Sequence, residues 1–120
     1  MTTIVLPYQR PPLTSNQASR STGRAHARAK KQMRWTAALL AKSMHIRSHP
    51  RSDVLLTWYV PNLHRRDAGS LSVLLKHTLD GLVDAGVWPD DHFGWVRTEA
   101  CRIDLDRANP RIELTITEAL

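Results

Sequence analysis

Arg65-Arg66-Asp67-Ala68-Gly69-Ser70, an apolar-rich run over residues 71–85, then Gly86-Val87-Trp88-Pro89-Asp90-Asp91: the fold of this 120-residue chain turns on how this stretch is read. Leu71, Leu74, Leu75, Leu79, Leu82 and Val83 recur at three- and four-residue spacing, which predicts a helix with one buried stripe. Ser70 is placed to cap its start and Gly86 to end it in a left-handed turn. Arginines stand beside a carboxylate ahead of this helix, Lys76 lies on it, and a carboxylate pair follows its end. Carboxylates gather hard cations such as Mg²⁺, whereas arginine and lysine hold phosphates. In a small basic chain this combination points toward phosphodiester chemistry.

Working outward, residues 53–60 (Asp-Val-Leu-Leu-Thr-Trp-Tyr-Val) are β-branched and aromatic and form the clearest strand. Trp58 and Tyr59 are expected to fill core and interface rather than stack on bases. Residues 93–103 and 111–117 predict two more strands joined through Asn109-Pro110, and residues 2–6 an N-terminal strand stopped by Pro7. Residues 7–21 carry Pro7, Pro11, Pro12 and several serines and are expected to form a loop that presents Arg10, Asn16 and Arg20. Over residues 21–46, Ala29, Met33, Ala37, Leu40 and Met44 make an apolar stripe, while Arg20, Arg24, Arg28 and Lys31 recur on another face. Ser21 or Thr22 is placed to cap this helix and His49-Pro50 to end it. The order β-α-β-α-β-β argues one α+β domain over residues 1–120, a small mixed sheet packed with two helices.

The composition excludes several classes. No apolar run approaches the ~20 residues of a membrane span, and residues 2–6 are too short for the core of a secretory signal. One cysteine, Cys101, forms no internal disulfide and fits a cytoplasmic setting; as a free strand cysteine it is expected to be buried rather than nucleophilic. The six histidines lack zinc-ligand spacing, and no phosphate-loop or dinucleotide glycine pattern is present, so no nucleotide cofactor is expected. The net charge is +6, yet all eleven acids lie from Asp53 onward, and residues 1–52 carry ten of the seventeen bases. A solely basic first half suits a polyanion partner such as nucleic acid.

Candidate metal ligands are Asp67, Asp90 and Asp91. Lys76 is the candidate phosphate-binding cation, and Asp80, four residues further along the same helical face, is auxiliary. Read as structure alone, the same residues are a surface lysine–aspartate pair and a turn-forming Pro-Asp-Asp.

These residues resemble the RusA-type Holliday junction endodeoxyribonucleases common in phages and prophages. The resemblance is carried by Arg65-Arg66-Asp67, by the run Leu79-Asp80-Gly81-Leu82-Val83-Asp84-Ala85-Gly86-Val87-Trp88-Pro89-Asp90-Asp91, by the early Leu6-Pro7…Pro11-Pro12…Ser15-Asn16 segment, and by the last strand, Glu113-Leu114-Thr115-Ile116-Thr117-Glu118. It implies a homodimeric α+β enzyme that resolves four-way DNA junctions with Mg²⁺ or Mn²⁺, in DNA recombination and repair. Asp67 and Asp91 would be ligands with Asp90 beside them, and Lys76 would be catalytic. Arg65, Arg66, Asn16, Arg20, Arg24, Arg28 and Lys31 would bind DNA. One departure stands out. The family's Asp-x-Asp-Asn reads Asp67-Ala68-Gly69-Ser70 here, so Gly69 replaces a carboxylate and Ser70 an asparagine. The alternative is therefore a branched-DNA-binding protein with a weakened or inactive site, and a third reading is a basic assembly protein.

Overall fold

The computed structural model describes residues 1–20 and 23–120. Four strands, β1 (Thr2–Leu6), β2 (Ser52–Val60), β3 (Val96–Leu105) and β4 (Arg111–Glu118), form one mixed sheet in the order β1-β4-β2-β3. β4 runs antiparallel to both β1 and β2, whereas β3 runs parallel to β2. A parallel pair needs a crossover, and the chain between β2 and β3 supplies it as a short 3₁₀ turn (Ala68–Leu71) followed by helix α3 (Ser72–Asp84). Helix α2 (Arg24–Ser43) connects the β1 side to β2, preceded by a six-residue helix α1 (Ser15–Arg20). The result is the predicted α+β order with two main helices. Among the described residues no helix is long and apolar enough to cross a membrane.

β1, β4 and the first half of β2 alternate as a half-covered sheet requires, whereas the edge strand β3 does not. Ile4 and Leu6, Val54 and Leu56, and Ile112, Leu114 and Ile116 are buried and form one core with Leu71, Leu74, Leu75, Leu79 and Leu82 from the α3 side and Met33, Ala37 and Ala41 from α2. The two helices touch closely at Gly81, where an added Cβ would lie 2.2 Å from the Arg34 carbonyl oxygen and 2.8 Å from Ala37 Cβ. α3 then closes in a Schellman turn. The Val87 amide donates to the Leu82 carbonyl and the Gly86 amide to that of Val83, both at 3.0 Å, and Gly86 takes φ 86°.

Several expectations need correction. Residues 7–21 are not all loop, since Ser15–Arg20 is helical. α2 ends at Ser43, short of His49-Pro50, because His45 adopts φ 54° and breaks the run. Its buried face is Met33, Ala37, Ala38 and Ala41, whereas Met44 is 47% exposed, so the stripe turns away from the core one turn early. The capping residues Ser21 and Thr22 lie outside the described residues. Ser70 is not the cap of α3: it lies inside the 3₁₀ turn, where its hydroxyl and amide both bond the Asp67 carbonyl, and Leu71 holds the cap position. β3 starts at Val96 rather than residue 93, leaving Phe93 exposed in the preceding loop. Cys101 is half-buried on β3, and burial raises its thiol above the ordinary value, away from the nucleophilic thiolate. Trp58 packs on the core as expected and donates from Nε1 to the Gln9 carbonyl at 2.9 Å, while Arg111 stacks 4.0 Å from the Tyr59 ring centre.

Candidate active site

The turn after α3 decides where the carboxylate pair goes. Val87 and Trp88 are fully buried, and Trp88 Nε1 lies 3.3 Å from the Pro50 carbonyl and 3.4 Å from Ser52 Oγ. This apolar anchor folds the chain back toward the helix it has just left. Asp91 Oδ2 consequently accepts from Lys76 Nζ at 3.3 Å, and Asp80 Oδ1 accepts from the same ammonium at 3.2 Å. Two carboxylates, one from a helix and one from the following loop, thus share one cation.

The arrangement acts on the charge of the lysine. The hydrogen bond that Lys76 donates to Asp80 raises the lysine pKa above 10.5, against the opposing effect of burial, so the side chain stays charged through neutral pH. His77 Nδ1 lies 3.8 Å from the other Asp80 oxygen, Oδ2. Burial pushes its pKa below 6.5 despite that acid, which favours the neutral imidazole. Sequence reasoning passed over His77, although its spacing of three residues from Asp80 on one helix is a readable signal.

Asp90 and Asp91 have different surroundings. Asp90 Oδ1 accepts from the Asp91 backbone amide at 2.7 Å and so serves its own loop, while Asp91 faces α3. His92 is also occupied: its Nδ1 accepts from the Gly94 amide at 3.0 Å. Asp67 sits at the mouth of the 3₁₀ turn, exposed, with its carboxylate in no hydrogen bond among the described residues. Gly69 follows with open space where a Cβ would stand.

The early segment meets this turn across the sequence. Ser15 Oγ donates to the Gly69 carbonyl at 3.1 Å and lies 2.5 Å from Ser72 Oγ. The Ser15-Asn16 and Arg65–Ser70 motifs are therefore neighbours, joined by a contact between residues 54 apart, and Asn16 is exposed there. Arg66 stacks 5.3 Å from the Trp58 ring centre and bonds the Asn62 and His64 carbonyls, so it supports its own loop as well as facing outward. Arg65 is exposed. A groove of about 760 Å³ runs past Arg10, Gln17 and Trp58, and an adjoining one of about 560 Å³ shares Arg10 and Trp58 and reaches Arg66. Arg24, Arg28 and Lys31 are exposed on α2; Arg20 ends α1, and its side chain lies outside the described residues.

Hard oxygen donors converging on a cation fit a divalent ion that keeps most of its water, as Mg²⁺ does. The set is lean. Among the described residues no three His, Cys, Asp or Glu side chains are grouped closely enough to hold a metal by themselves. No protein-family model matches the chain, and no curated protein matches it in sequence.

Proposed function

We propose that this chain is a divalent-metal-dependent endonuclease that hydrolyses phosphodiester bonds at four-way DNA junctions, in the manner of the RusA-type enzymes its motifs resemble. The observation that carries the reading is the shared hold of Asp80 and Asp91 on Lys76. Such an arrangement has more use at a phosphate than on a plain surface, where an exposed ion pair contributes little to stability.

In this reading Asp91 and Asp80 would hold the ion, and Asp67 and Asp90 are the further carboxylates that could reach it. An ion held there, Mg²⁺ or Mn²⁺, would supply neutralisation of the scissile phosphate and activation of the attacking water. Lys76 exchanges a carboxylate partner for a phosphate oxygen and stabilises the charge that develops there. Arg65, Arg66, Asn16 and the cations of α2 bind the backbones of the junction arms, contacts that set position and depend on salt rather than on base sequence. A homodimer would offer one such site to each of two strands and make paired cuts. The work belongs to DNA recombination and repair in the cytoplasm of a bacterium or a phage-infected cell.

A second reading is a protein that binds junctions without cutting them. The lean carboxylate set and Gly69 in place of an acid favour it. Mn²⁺ binding, followed by electron paramagnetic resonance on the full chain, separates the two. The nuclease reading expects stoichiometric binding that Asp91→Asn weakens at least tenfold; equal or absent binding in both proteins supports the non-cutting one.

A further inference from the structure

Beside the buried Ala38 and the Asp84 carboxylate of α3, one run of side chains on α2 has no role in the acid site. Arg28, Lys31, Trp35, Ala38 and Lys42 recur at spacings of three and four and line a single shallow groove of about 590 Å³. The stripe is about 21 Å long at 1.5 Å of rise per residue. At its centre the Trp35 side chain is 65% exposed, the most exposed of the four tryptophans. None of Arg28, Lys31 and Lys42 forms an ion pair among the described residues, whereas Arg34, on the groove's edge, is held at 2.6 and 2.8 Å by Asp84. A large aromatic ring held in water by a helix, with Lys31 one turn before it and Arg28 and Lys42 two turns to either side, contributes nothing visible to folding.

We propose that this face binds unpaired, single-stranded nucleic acid, with a base stacked on the Trp35 indole and the flanking phosphates on Arg28, Lys31 and Lys42. The chemistry selects the occupant. Cations alone would serve any duplex backbone, but in a duplex the π-faces of the bases are hidden in the stack and Trp35 would have no partner. Stacking platforms interleaved with cations are the means by which proteins hold single strands without reading sequence. An acidic peptide would satisfy the charges yet leave the indole's flat face without a matching ring. The face also adjoins the acid site: Arg34 on its edge pairs with Asp84, and Asp80, which holds Lys76, is one turn from Asp84 on α3. A strand opened at a branch point therefore passes from the stacking face toward Lys76. The inference deepens the proposed action on DNA and rests on it, but it is testable without cleavage.

The test is the binding of labelled dT₂₀ and of an abasic oligomer of equal length, measured by anisotropy at matched salt. The wild type, Trp35→Ala, Trp35→Phe and Lys31→Ala are compared, with four-way junction cleavage assayed in parallel. Wild-type protein is expected to prefer dT₂₀ on the order of 5- to 150-fold, the worth of one stacked base. Trp35→Ala should erase that preference, Trp35→Phe should retain most of it, and Lys31→Ala should weaken both ligands equally and flatten the salt dependence. Equal binding of dT₂₀ and the abasic oligomer by the wild type, or an undiminished preference in Trp35→Ala, overturns the inference even if junctions are cut. Loss of self-association in Trp35→Ala with unchanged oligonucleotide binding also overturns it, and marks the face as an interface between copies. A Trp35-dependent preference for dT₂₀ in a protein that cuts no junction upholds the stacking face and removes the nuclease reading.

Discussion

Replacing Gly81 by alanine is expected to destabilise the protein, against the ordinary sign of such a change in a helix. A glycine inside a helix costs roughly 1 kcal/mol relative to alanine, so Gly81→Ala considered locally should stabilise. The geometry argues otherwise. The new Cβ would stand 2.2 Å from the Arg34 carbonyl oxygen, 2.8 Å from Ala37 Cβ and 3.0 Å from the Ala38 nitrogen. Two of these neighbours are backbone of α2, so no side chain can swing aside, and α2 must retreat from α3 by about 1 Å. A gap of that size forfeits a quarter to a half of each dispersion contact across the interface. Overpacking against rigid backbone falls in the upper part of the usual range, about 2–3 kcal/mol, and with the helical gain of about 1 kcal/mol set against it the net loss is about 1–2 kcal/mol. For a domain of this size that lowers Tm by roughly 4–10 °C. Differential scanning calorimetry reads it directly, with Gly69→Ala as the control, since no atom lies within 4 Å of a Cβ there. A Gly81→Ala protein that melts higher than the wild type would refute the close helix contact, and with it the placement of Arg34 against Asp84.

Further expectations follow from other residues. Thr57 is buried and its hydroxyl has no partner among the described residues, so Thr57→Val should stabilise by about 1 kcal/mol in urea denaturation, and a loss of stability would mean that the hydroxyl has a partner. The Arg34 guanidinium holds the Asp84 carboxyl below its ordinary 3.8. Its folded value being depressed, the pair contributes stability above about pH 4 and loses it as pH falls through the folded value. Asp84→Asn should therefore flatten the acid limb of the stability–pH curve and leave the alkaline limb unchanged, whereas parallel curves would contradict the pairing. Gly69→Asp meets no obstruction and should fold normally, tighten Mn²⁺ binding and raise cleavage severalfold; unchanged binding would mean that Asp80 already supplies the missing oxygen.

The fold was legible wherever side-chain periodicity alone determines it. The leucine stripe of α3, the alternation in β4 and the glycine stop at Gly86 depend on neighbours within a few residues, and each stands where its pattern predicts. What failed depends on distant partners. Ser70 has the residue type of a cap, but the tie between Ser15 and the Gly69–Ser72 turn accompanies a 3₁₀ turn in which that serine bonds backward. Met44 fits the helical spacing, yet the backbone reverses sign at His45. At the site, the Lys76–Asp80 pair was readable from a spacing of four. Asp91's return to Lys76 depends on Trp88 burying itself against Pro50 and Ser52, a contact no local pattern encodes. Trp35 could not be told from a core residue by type, because exposure is a property of the folded helix.

The most direct test of the central claim is cleavage of an end-labelled four-way junction in Mg²⁺ and in Mn²⁺, beside linear duplex and beside Asp91→Asn and Lys76→Met. The account predicts paired nicks near the crossover, little cutting of the duplex, and a loss of at least a hundredfold in each variant. Junction binding without nicks in either metal, or nicks that persist in Asp91→Asn, would contradict it.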